Sequence, residues 1–311
     1  MTRHEAAELL RMKDDVLVLT HLRPDGDTIG CAAALCHALR RLGKTAWMYD
    51  NKGITPKYAR FAAPYIAPAG FRHAFLVSVD LADVTLLPDT ALGPVDLCID
   101  HHPTNTFYAK ETCVEADKAS CGEILLEIIK ELCGSIDKEE ADLLYMAVST
   151  DTGCFVYGNA TANTHRAAAE AAEAGADIAG LNKYLFRTAR RQRILLEGYA
   201  CSGLRSYRDN KINIITIPLE MMERAGATEN DCDDIASLPG RTEGNQMSFV
   251  IRELTPGHCK ISARCVRAYD VAAICARYGG GGHRMAAGCE IDASPEECAA
   301  LMLAAAEEVV V

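Results

Sequence analysis

The chain has 311 residues, of which 49% are hydrophobic and 24% are charged, a composition that excludes an intrinsically disordered protein. This length is enough for two domains. The 43 acidic residues outnumber the 32 basic residues, and the net charge of −11 argues against a broad basic surface that coats long nucleic acid. We therefore expect no binding to long duplex DNA, whereas a short ligand with few phosphates is compatible with this charge.

The sequence also indicates the compartment. No segment near the N-terminus has the pattern of a secretory signal, and no run approaches the roughly 18 apolar residues that a membrane span needs. The 14 cysteines then favour a reduced protein, and the absence of a C-x-x-C pair argues against a structural zinc site. We expect a cytoplasmic protein that does not associate with membranes.

Short apolar runs alternate with helical patterns in the first half of the chain. The predicted strands span residues 16–20, 45–49, 74–79 and 96–99, and the predicted helices span 29–42, 120–132 and 138–148. Such alternation is typical of an α/β fold in which a parallel sheet carries helices on both faces. In this architecture ligands bind beyond the carboxyl ends of the strands.

The second half begins with an alanine-rich packing helix over 161–177, followed by a basic helical segment. Strand-like runs then start at Ile212, Met247 and Cys259, and a helix is predicted over 270–278. We predict a catalytic domain over 1–185, a helical linker over 186–208, and a smaller α/β domain over 209–311, across a cleft from the first.

Acidic residues and histidines follow the predicted strands of the first domain. These residues are His21, Asp25, Asp27, Asp80, Asp100, His101 and His102, and Asp151 joins them in the segment STDTG. Carboxylates gathered without cations repel one another and raise each other's pKa, and bound metal removes that penalty. A set of carboxylates and imidazoles without thiolates suits manganese. Two such ions about 3.5–4 Å apart can clamp the attacking and leaving oxygens of a phosphoryl group.

The segment Asp25-Gly26-Asp27 alone is equally typical of a turn and a helix cap. The recurrence of acids and histidines in four segments favours the metal site over that interpretation.

A second feature is the run of four glycines before His283 and Arg284. Glycine frees the backbone to approach an anion and present N–H groups to a phosphate. Because the run lacks the Lys-Ser/Thr ending of a nucleotide P-loop, we do not expect an NTPase site. Taken alone, the run is also typical of a flexible interhelical loop.

These motifs resemble those of the DHH phosphoesterase superfamily. HLRPDGDTIG resembles its first motif, Asp80 its second, DHHPTN its third and STDTGCF its fourth, and YGGGGHRMAAG is similar to the signature of the DHH-associated domain, type 1. The chain resembles in particular the compact two-domain bacterial oligoribonucleases and pAp phosphatases. RecJ exonucleases share the motifs but are usually longer.

The resemblance implies a role for each site residue. One manganese ion would be bound by His21, Asp25 and Asp80, and the other by Asp27, Asp80, His101 and Asp151, with Asp80 as the bridge. Asp100 would orient the histidines, while His102 would contact the scissile phosphate and help to protonate the leaving group. The substrate would be bound by Arg264, Gly280, Gly281, Gly282, His283 and, as a weaker candidate, Arg284. Cys31 stands where many members have serine or alanine, and we expect it to affect packing only.

The implied activity is a hydrolase that uses two Mn²⁺ ions, with Mg²⁺ or Co²⁺ as substitutes, and attack by metal-bound hydroxide. Its substrates would be RNA di- to pentanucleotides, cut as by an exonuclease to mononucleotides, and 3′-phosphoadenosine 5′-phosphate (pAp), converted to AMP. The resemblance also suggests a homodimer.

Two alternatives stay open at this point. One is a phosphodiesterase for cyclic di-AMP or its linear product pApA, and the other is a nucleotide-binding module without catalysis. An inorganic pyrophosphatase is disfavoured, because that branch of the superfamily carries a different C-terminal domain without GGGGH.

Overall fold

The computed structural model describes residues 1–232 and 235–310, which divide into two compact units between Thr188 and Ala189. The division lies inside the segment 186–208 that the sequence predicts as a linker. The helix of that segment, Arg191–Ser202, packs with elements of the second unit. None of the helices in the described ranges has the length and apolar character that crossing a membrane requires.

The first unit is built on one parallel sheet. Its strands are β1 (Val16–Leu19), β2 (Ala46–Met48), β3 (Phe75–Val79), β4 (Leu97–Asp100) and β5 (Glu111–Val114), in the order β2-β1-β3-β4-β5. Its helices are α1 (Arg3–Met12), α2 (Gly26–Arg41), α3 (Pro56–Ala62), α4 (Cys121–Cys133), α5 (Lys138–Asp151), α6 (Ala162–Glu173) and α7 (Ile178–Phe186). The predicted parallel sheet is confirmed, although α1, α3, α7 and β5 were not resolved by the sequence patterns.

The two faces of this sheet are covered differently. Val16 and Val18 of β1 pack into a core with side chains from all seven helices, whereas Leu17 and Leu19 pack on the other face. That second face is covered by loops and short 3-10 turns among the described residues, so the prediction of helices on both faces is wrong for this sheet. The connection 80–96 contains two prolines and a glycine, and the connection 101–110 contains a proline; both residue types disfavour α-helices.

Close packing of α2 against α4 and α5 holds the helix ends that carry acidic residues. A Cβ on Gly30 would collide with the carbonyl oxygen of Leu143 and lie 3.0 Å from the Cβ of Ala147. A Cβ on Gly26 would collide with the side chain of Thr150. Small residues at these positions therefore let the beginning of α2 approach the end of α5.

Replacing Gly30 with alanine is expected to destabilise the protein by about 1–3 kcal/mol, because the added methyl group meets backbone that cannot move freely. Urea denaturation followed by circular dichroism measures the change. Gly198 provides a matched control: it also lies in a helix, but a Cβ there meets nothing within 4 Å. Gly198→Ala should be neutral or stabilising by up to about 1 kcal/mol. Equal effects of the two substitutions would contradict the close packing.

The second unit contains a mixed sheet. Its elements are α8 (Arg191–Ser202), β6 (Arg205–Tyr207), β7 (Ile212–Ile217), α9 (Leu219–Ala225), β8 (Met247–Thr255), β9 (His258–Cys265), α10 (Val271–Ala276), β10 (Gly281–His283), β11 (Ala286–Ile291) and α11 (Pro295–Glu307). The strand order is β10-β11-β9-β8-β7-β6, with β7 and β8 parallel and the other pairs antiparallel. One face of the sheet packs on α10 and α11. The smaller α/β domain predicted from the sequence is confirmed.

Candidate metal centre

Elements of the first unit bring the predicted acids and histidines to one edge of its sheet. Asp25 caps the N-terminus of α2, where its carboxylate accepts a hydrogen bond from the backbone N–H of Thr28. Asp80 directly follows β3, and Asp100 is the last residue of β4 rather than the first beyond it. Asp151 is the last residue of α5, where the helix dipole disfavours a carboxylate. The stability of α5 therefore does not explain why a carboxylate stands at its C-terminal end. A cation bound nearby would explain it.

The side chains form two groups that meet at Asp80. In one group, Nε2 of His21 lies 3.9 Å from Oδ2 of Asp80 and 4.0 Å from Oδ1 of Asp25. In the other, Nε2 of His101 lies 3.9 Å from Oδ2 of Asp27 and 3.6 Å from Oδ2 of Asp151. The same His101 nitrogen lies 3.4 Å from Oδ1 of Asp80. The two oxygens of Asp80 thus face different groups.

Asp80 is buried and held in an unusual conformation. Its φ is 54°, a left-handed conformation that costs a non-glycine residue about 1–3 kcal/mol. Its backbone N–H donates to the carbonyl of Ile99, and Oδ2 accepts a 2.5 Å hydrogen bond from the hydroxyl of Thr28. Its Oδ1 is buried without a hydrogen-bond partner among the described residues. A buried carboxylate oxygen with no donor is costly, and a bound cation would satisfy it.

Asp27 receives its support from the N-terminus of a helix. Its carboxylate accepts hydrogen bonds from the backbone N–H groups of Cys121 (2.7 Å) and Gly122 (3.0 Å) at the start of α4. These donors and the helix dipole favour a negative charge. Burial, together with the charges of Asp80 and Asp151, nevertheless raises the pKa of Asp27 well above its usual range. Without a cation, this carboxylate is therefore difficult to ionise.

The same surroundings shift the pKa values of Asp151 and His101, the other members of the second group. Burial raises the pKa of Asp151 to about 6 against the opposing charge of His101, and Asp80 adds to the rise. Burial would lower the pKa of His101, but the close approach of its Nε2 to Asp80 and the charges of the neighbouring carboxylates raise it to about 10. A proton on His101 thus occupies the position between carboxylates that a cation would take, and cation binding would release that proton.

Asp100 orients both histidines of the DHH tripeptide. Its Oδ1 accepts hydrogen bonds from the backbone N–H of His101 (2.8 Å) and from Nδ1 of His102 (2.7 Å). Its Oδ2 accepts a 2.6 Å bond from the amide of Asn105. Burial raises the pKa of Asp100, but the hydrogen bonds from His102 and Asn105 more than offset this and lower it. Nδ1 of His101 lies 3.2 Å from the carbonyl of Lys118, so its Nε2 faces the carboxylates.

The donor set fits a pair of divalent cations. It consists of carboxylate oxygens and imidazole nitrogens. The ligand atoms lie within 4.8 Å of one another in two separate trios, one of His21, Asp25 and Asp80 and one of Asp27, His101 and Asp151. The raised pKa values of Asp27 and Asp151 come from burial and from the neighbouring carboxylates, whose combined charge the single histidine His101 does not balance.

The glycine run of the second unit differs from the flexible loop that the sequence allowed. Gly281–His283 forms β10, an edge strand that pairs with β11. A Cβ on Gly280 would collide with the carbonyl oxygen of Gly288 and with the side chain of Cys289. Gly282 has a φ of 141°, which L side chains rarely adopt. The absence of side chains at Gly280 and Gly282 therefore allows the backbone to pack closely on β11 and also leaves that backbone exposed.

Arg264 and His283 occupy one cross-strand row of the second sheet. His283 is opposite Ala286, and Ala286 is opposite Arg264. Because directly opposed residues project to the same face, the two exposed side chains share a face two strand spacings apart, roughly 10 Å. Arg284 is not part of this row, and its Nε donates to the carbonyl of Tyr269. The structure thus places Arg264 and His283 on one face of the second sheet, whereas Arg284 is hydrogen-bonded to Tyr269.

Comparison with known proteins identifies the family. Residues 15–148 match the DHH family, N-terminal domain, and residues 211–311 match the DHHA1 domain. A Thermus thermophilus protein named bifunctional oligoribonuclease and PAP phosphatase NrnA is 31% identical over 292 residues, 92% of this chain and 87% of the relative. The chain belongs to the DHH family.

One further relative and one solved structure are similar to this DHH protein. A Bacillus subtilis protein with the same name is 23% identical over 300 residues, 92% of each chain. The crystal structure of an exopolyphosphatase-related protein from Bacteroides fragilis superimposes with a TM-score of 0.84 at 23% identity, covering 98% of this chain and 96% of that one. The latter likeness supports the fold of both units.

Sequence reasoning missed the groups that hold this DHH site in shape. Thr28 donates to Asp80, Asn105 donates to Asp100, and the carbonyl of Lys118 contacts His101. Asn105 lies inside DHHPTN and Thr28 directly follows Asp27, so their positions within the motifs could have indicated that they support the site. Their bonding partners are distant in sequence or depend on a turn, and only the structure shows them.

Asn105→Ala is expected to lower kcat by about 10–100-fold, because it frees one oxygen of the buried Asp100 that holds His102. Steady-state hydrolysis with Mn²⁺ measures the effect. Asn105 also accepts a hydrogen bond from the backbone N–H of Phe107, so Asn105→Asp keeps the acceptor for the turn. It removes the donor to Asp100, together with weaker contacts to Leu81 and Cys98, and places a second carboxylate beside Asp100, so its loss of activity should be at least as large. Full activity in Asn105→Asp would contradict the role of this donor.

Proposed function

We propose that this chain is a manganese-dependent phosphoesterase that hydrolyses short oligoribonucleotides to mononucleotides and pAp to AMP. The observation that carries the proposal is Asp80, whose buried carboxylate faces both groups of potential metal ligands and has one unpaired oxygen. That the chain is a hydrolase of phosphoric esters follows from its DHH family and its relatives. The substrate and the metal are the proposed part.

Two sets of residues would hold the ions. The first set is His21, Asp25 and Asp80, and the second is Asp27, Asp80, His101 and Asp151. When bound, two Mn²⁺ ions, or Mg²⁺ or Co²⁺ in their place, supply positive charge to the phosphoryl group and lower the pKa of water. Thr28 and the N-terminus of α4 hold the carboxylates in place.

His102 is the residue that we assign to the leaving group. Its Nδ1 is bound to Asp100, and 41% of its side chain is exposed. The hydrogen bond that His102 donates to Asp100 raises the pKa of His102 although burial opposes the rise, so the ring holds a proton more readily than an ordinary histidine. This arrangement suits a group that contacts phosphate and donates a proton to the departing oxygen.

We assign the binding of the rest of the substrate to residues of the second unit. Arg264 and His283 present cationic and hydrogen-bonding groups on one exposed face of its sheet. The exposed backbone at Gly281 and Gly282 offers close approach to a phosphate. The acidic net charge of −11 accords with small ligands rather than long polymers.

A single panel of hydrolysis assays with Mn²⁺ tests the proposed function. It compares RNA di- to pentanucleotides, pAp, cyclic di-AMP, pApA and pyrophosphate, each with wild-type protein, wild-type protein with chelator, and Asp80→Asn. The highest kcat/KM on short RNA and pAp is the expected result. Preference for cyclic di-AMP or pApA would replace the proposed substrates, and binding without any hydrolysis would indicate a catalytically silent module.

We also infer a homodimer in the cytoplasm, which rests on the family resemblance and not on a contact in the structure. Light scattering at several protein concentrations tests the assembly, and a monomer at all of them would exclude it.

A further inference from the structure

The loop after Asp151 is folded back onto the metal centre. Gly153, Cys154 and Phe155 have φ values of 57°, 57° and 66°, three consecutive left-handed residues that reverse the chain. The side-chain amide of Asn159 then donates to the carbonyls of Asp151 (3.1 Å) and Ala119 (3.2 Å). Ala119 adjoins the residue whose carbonyl contacts His101. The loop is thereby fixed beside both Asp151 and the support of His101.

Tyr157 lies in this loop with one face of its ring against the backbone. A Cβ on Gly153 would have Cζ, Cε1 and Cε2 of Tyr157 as its three nearest atoms, all under 3.0 Å away. Because the hydroxyl oxygen is not among the three, the approach is onto the ring face and not onto its end. The Cα of Gly153 is two residues from Asp151, at most about 7.6 Å from its Cα. The ring therefore lies close to a residue of the metal centre.

The other side of the Tyr157 ring is open. The residue is 58% exposed although one face rests on Gly153, so the exposed area includes the opposite face. An aromatic ring with one face supported and the other open is a stacking platform, and every nucleobase has a face that can stack on it. The hydrogen bonds from the N–H groups of Val156 and Tyr157 to Thr152, both 3.0 Å, hold the platform in place before a ligand binds.

We propose that Tyr157 stacks on the nucleobase of the nucleotide whose phosphate enters the metal centre. The inference rests on the proposed function and adds to it the residue that would make the enzyme prefer nucleotides over other phosphoric esters. Stacking is tolerant of base identity, so it would contribute affinity for short RNA of any sequence and for pAp alike.

The test distinguishes the contribution of the base to binding from that of the phosphates. With Mn²⁺, the KM of Tyr157→Ala is measured for pAp and for its abasic analogue, a tetrahydrofuran carrying the same two phosphates. We expect KM for pAp to rise about tenfold or more and KM for the abasic analogue to stay unchanged. Tyr157→Phe, which keeps the ring, should retain the wild-type KM. Val156→Ala, at the 80%-exposed neighbouring position, should also retain it.

Binding without turnover provides a second readout that does not depend on the proposed function. Calorimetry compares AMP with ribose 5-phosphate, and Tyr157→Ala should remove most of the preference for AMP that the wild-type protein shows. An unchanged KM for pAp, an equal loss for the abasic analogue, or an unchanged preference for AMP would overturn the assignment. Loss of base preference in Phe107→Ala instead of Tyr157→Ala would overturn it in favour of the other exposed aromatic ring (67%). Wild-type protein that binds AMP by stacking but hydrolyses no phosphoric ester would refute the proposed function alone.

Discussion

Asp80→Asn is expected to lower kcat for pAp and short RNA by more than about 10³-fold in saturating Mn²⁺. Loss of a single hydrogen-bond donor at a reacting centre already costs on the order of 10²–10³ in kcat, and Asp80 faces both groups of ligating side chains. Asparagine preserves the shape and, through its amide oxygen, the hydrogen bond from Thr28. The loss would therefore come from the missing charge. Kinetics and calorimetric titration of Mn²⁺ measure turnover and stoichiometry, with Asp80→Ala as the more severe variant.

The same substitution should remove most of the stability that metal adds. In the metal-free protein, Asp80 repels Asp27 and Asp151 but attracts protonated His101, so the two effects oppose each other and metal-free Asp80→Asn should unfold at nearly the same temperature as metal-free wild-type protein. Added Mn²⁺ should raise the Tm of the wild-type protein and raise that of the variant much less.

Asp142→Asn is the matched control. Asp142 is an ion-paired acid near the other end of α5, bound to Lys138, and its replacement should leave both turnover and the Mn²⁺-dependent rise in Tm intact. Undiminished turnover by Asp80→Asn would exclude a mechanism in which one carboxylate serves two ions.

The sheet of the first unit was predictable because buried parallel strands are continuous apolar runs. Residues 16–19 and 75–79 are buried along their whole length, and such runs stand out in the sequence. The segment Glu111–Val114 was missed because it is an edge strand with mostly exposed or half-exposed residues. Likewise, Gly281–His283 lacks any strand propensity, and its register with β11 alone makes it a strand. The periodicity of apolar residues in a sequence reflects which side chains are buried. These two strands bury few side chains, so the sequence shows no such pattern for them.

The gathering of the acids and histidines was predictable for a different reason. Parallel strands end at one edge, so residues that follow several strands must meet there. Their bonding was not predictable, because Asp27 depends on backbone N–H groups of Cys121 and Gly122, far along the chain. The single unpaired oxygen of Asp80 also appears only in three dimensions. The roles assigned to these residues as ligands stay predictions until metal binding is measured.

His102→Ala is expected to lower kcat for pAp by about 10²–10⁴-fold, the range that a general acid contributes. The leaving oxygen of a nucleotide must gain a proton as the bond to phosphorus breaks. In the proposed role, His102 supplies this proton while its Nδ1 stays bonded to Asp100 at 2.7 Å. A nitrophenyl ester of a nucleoside 5′-phosphate releases a stable anion that needs no proton. If His102 supplies the proton, the variant should lose far less activity on this ester than on pAp.

Two measurements separate proton donation from other roles of His102. Nδ1 of His102 lies 3.7 Å from Oδ1 of Asp80, so a role as a metal ligand would show as a loss of Mn²⁺ stoichiometry in the variant, which we do not expect. A role in phosphate binding alone would show as equal losses on pAp and on the nitrophenyl ester. His4→Ala is the control, since His4 is an exposed histidine paired with Glu131 and should leave both substrates unaffected. Only unequal losses at unchanged stoichiometry would assign the leaving-group proton to His102. The deciding comparison is with an RNA dinucleotide, because the dinucleotide and the nitrophenyl ester are both diesters of a nucleoside 5′-phosphate, whereas pAp is a monoester.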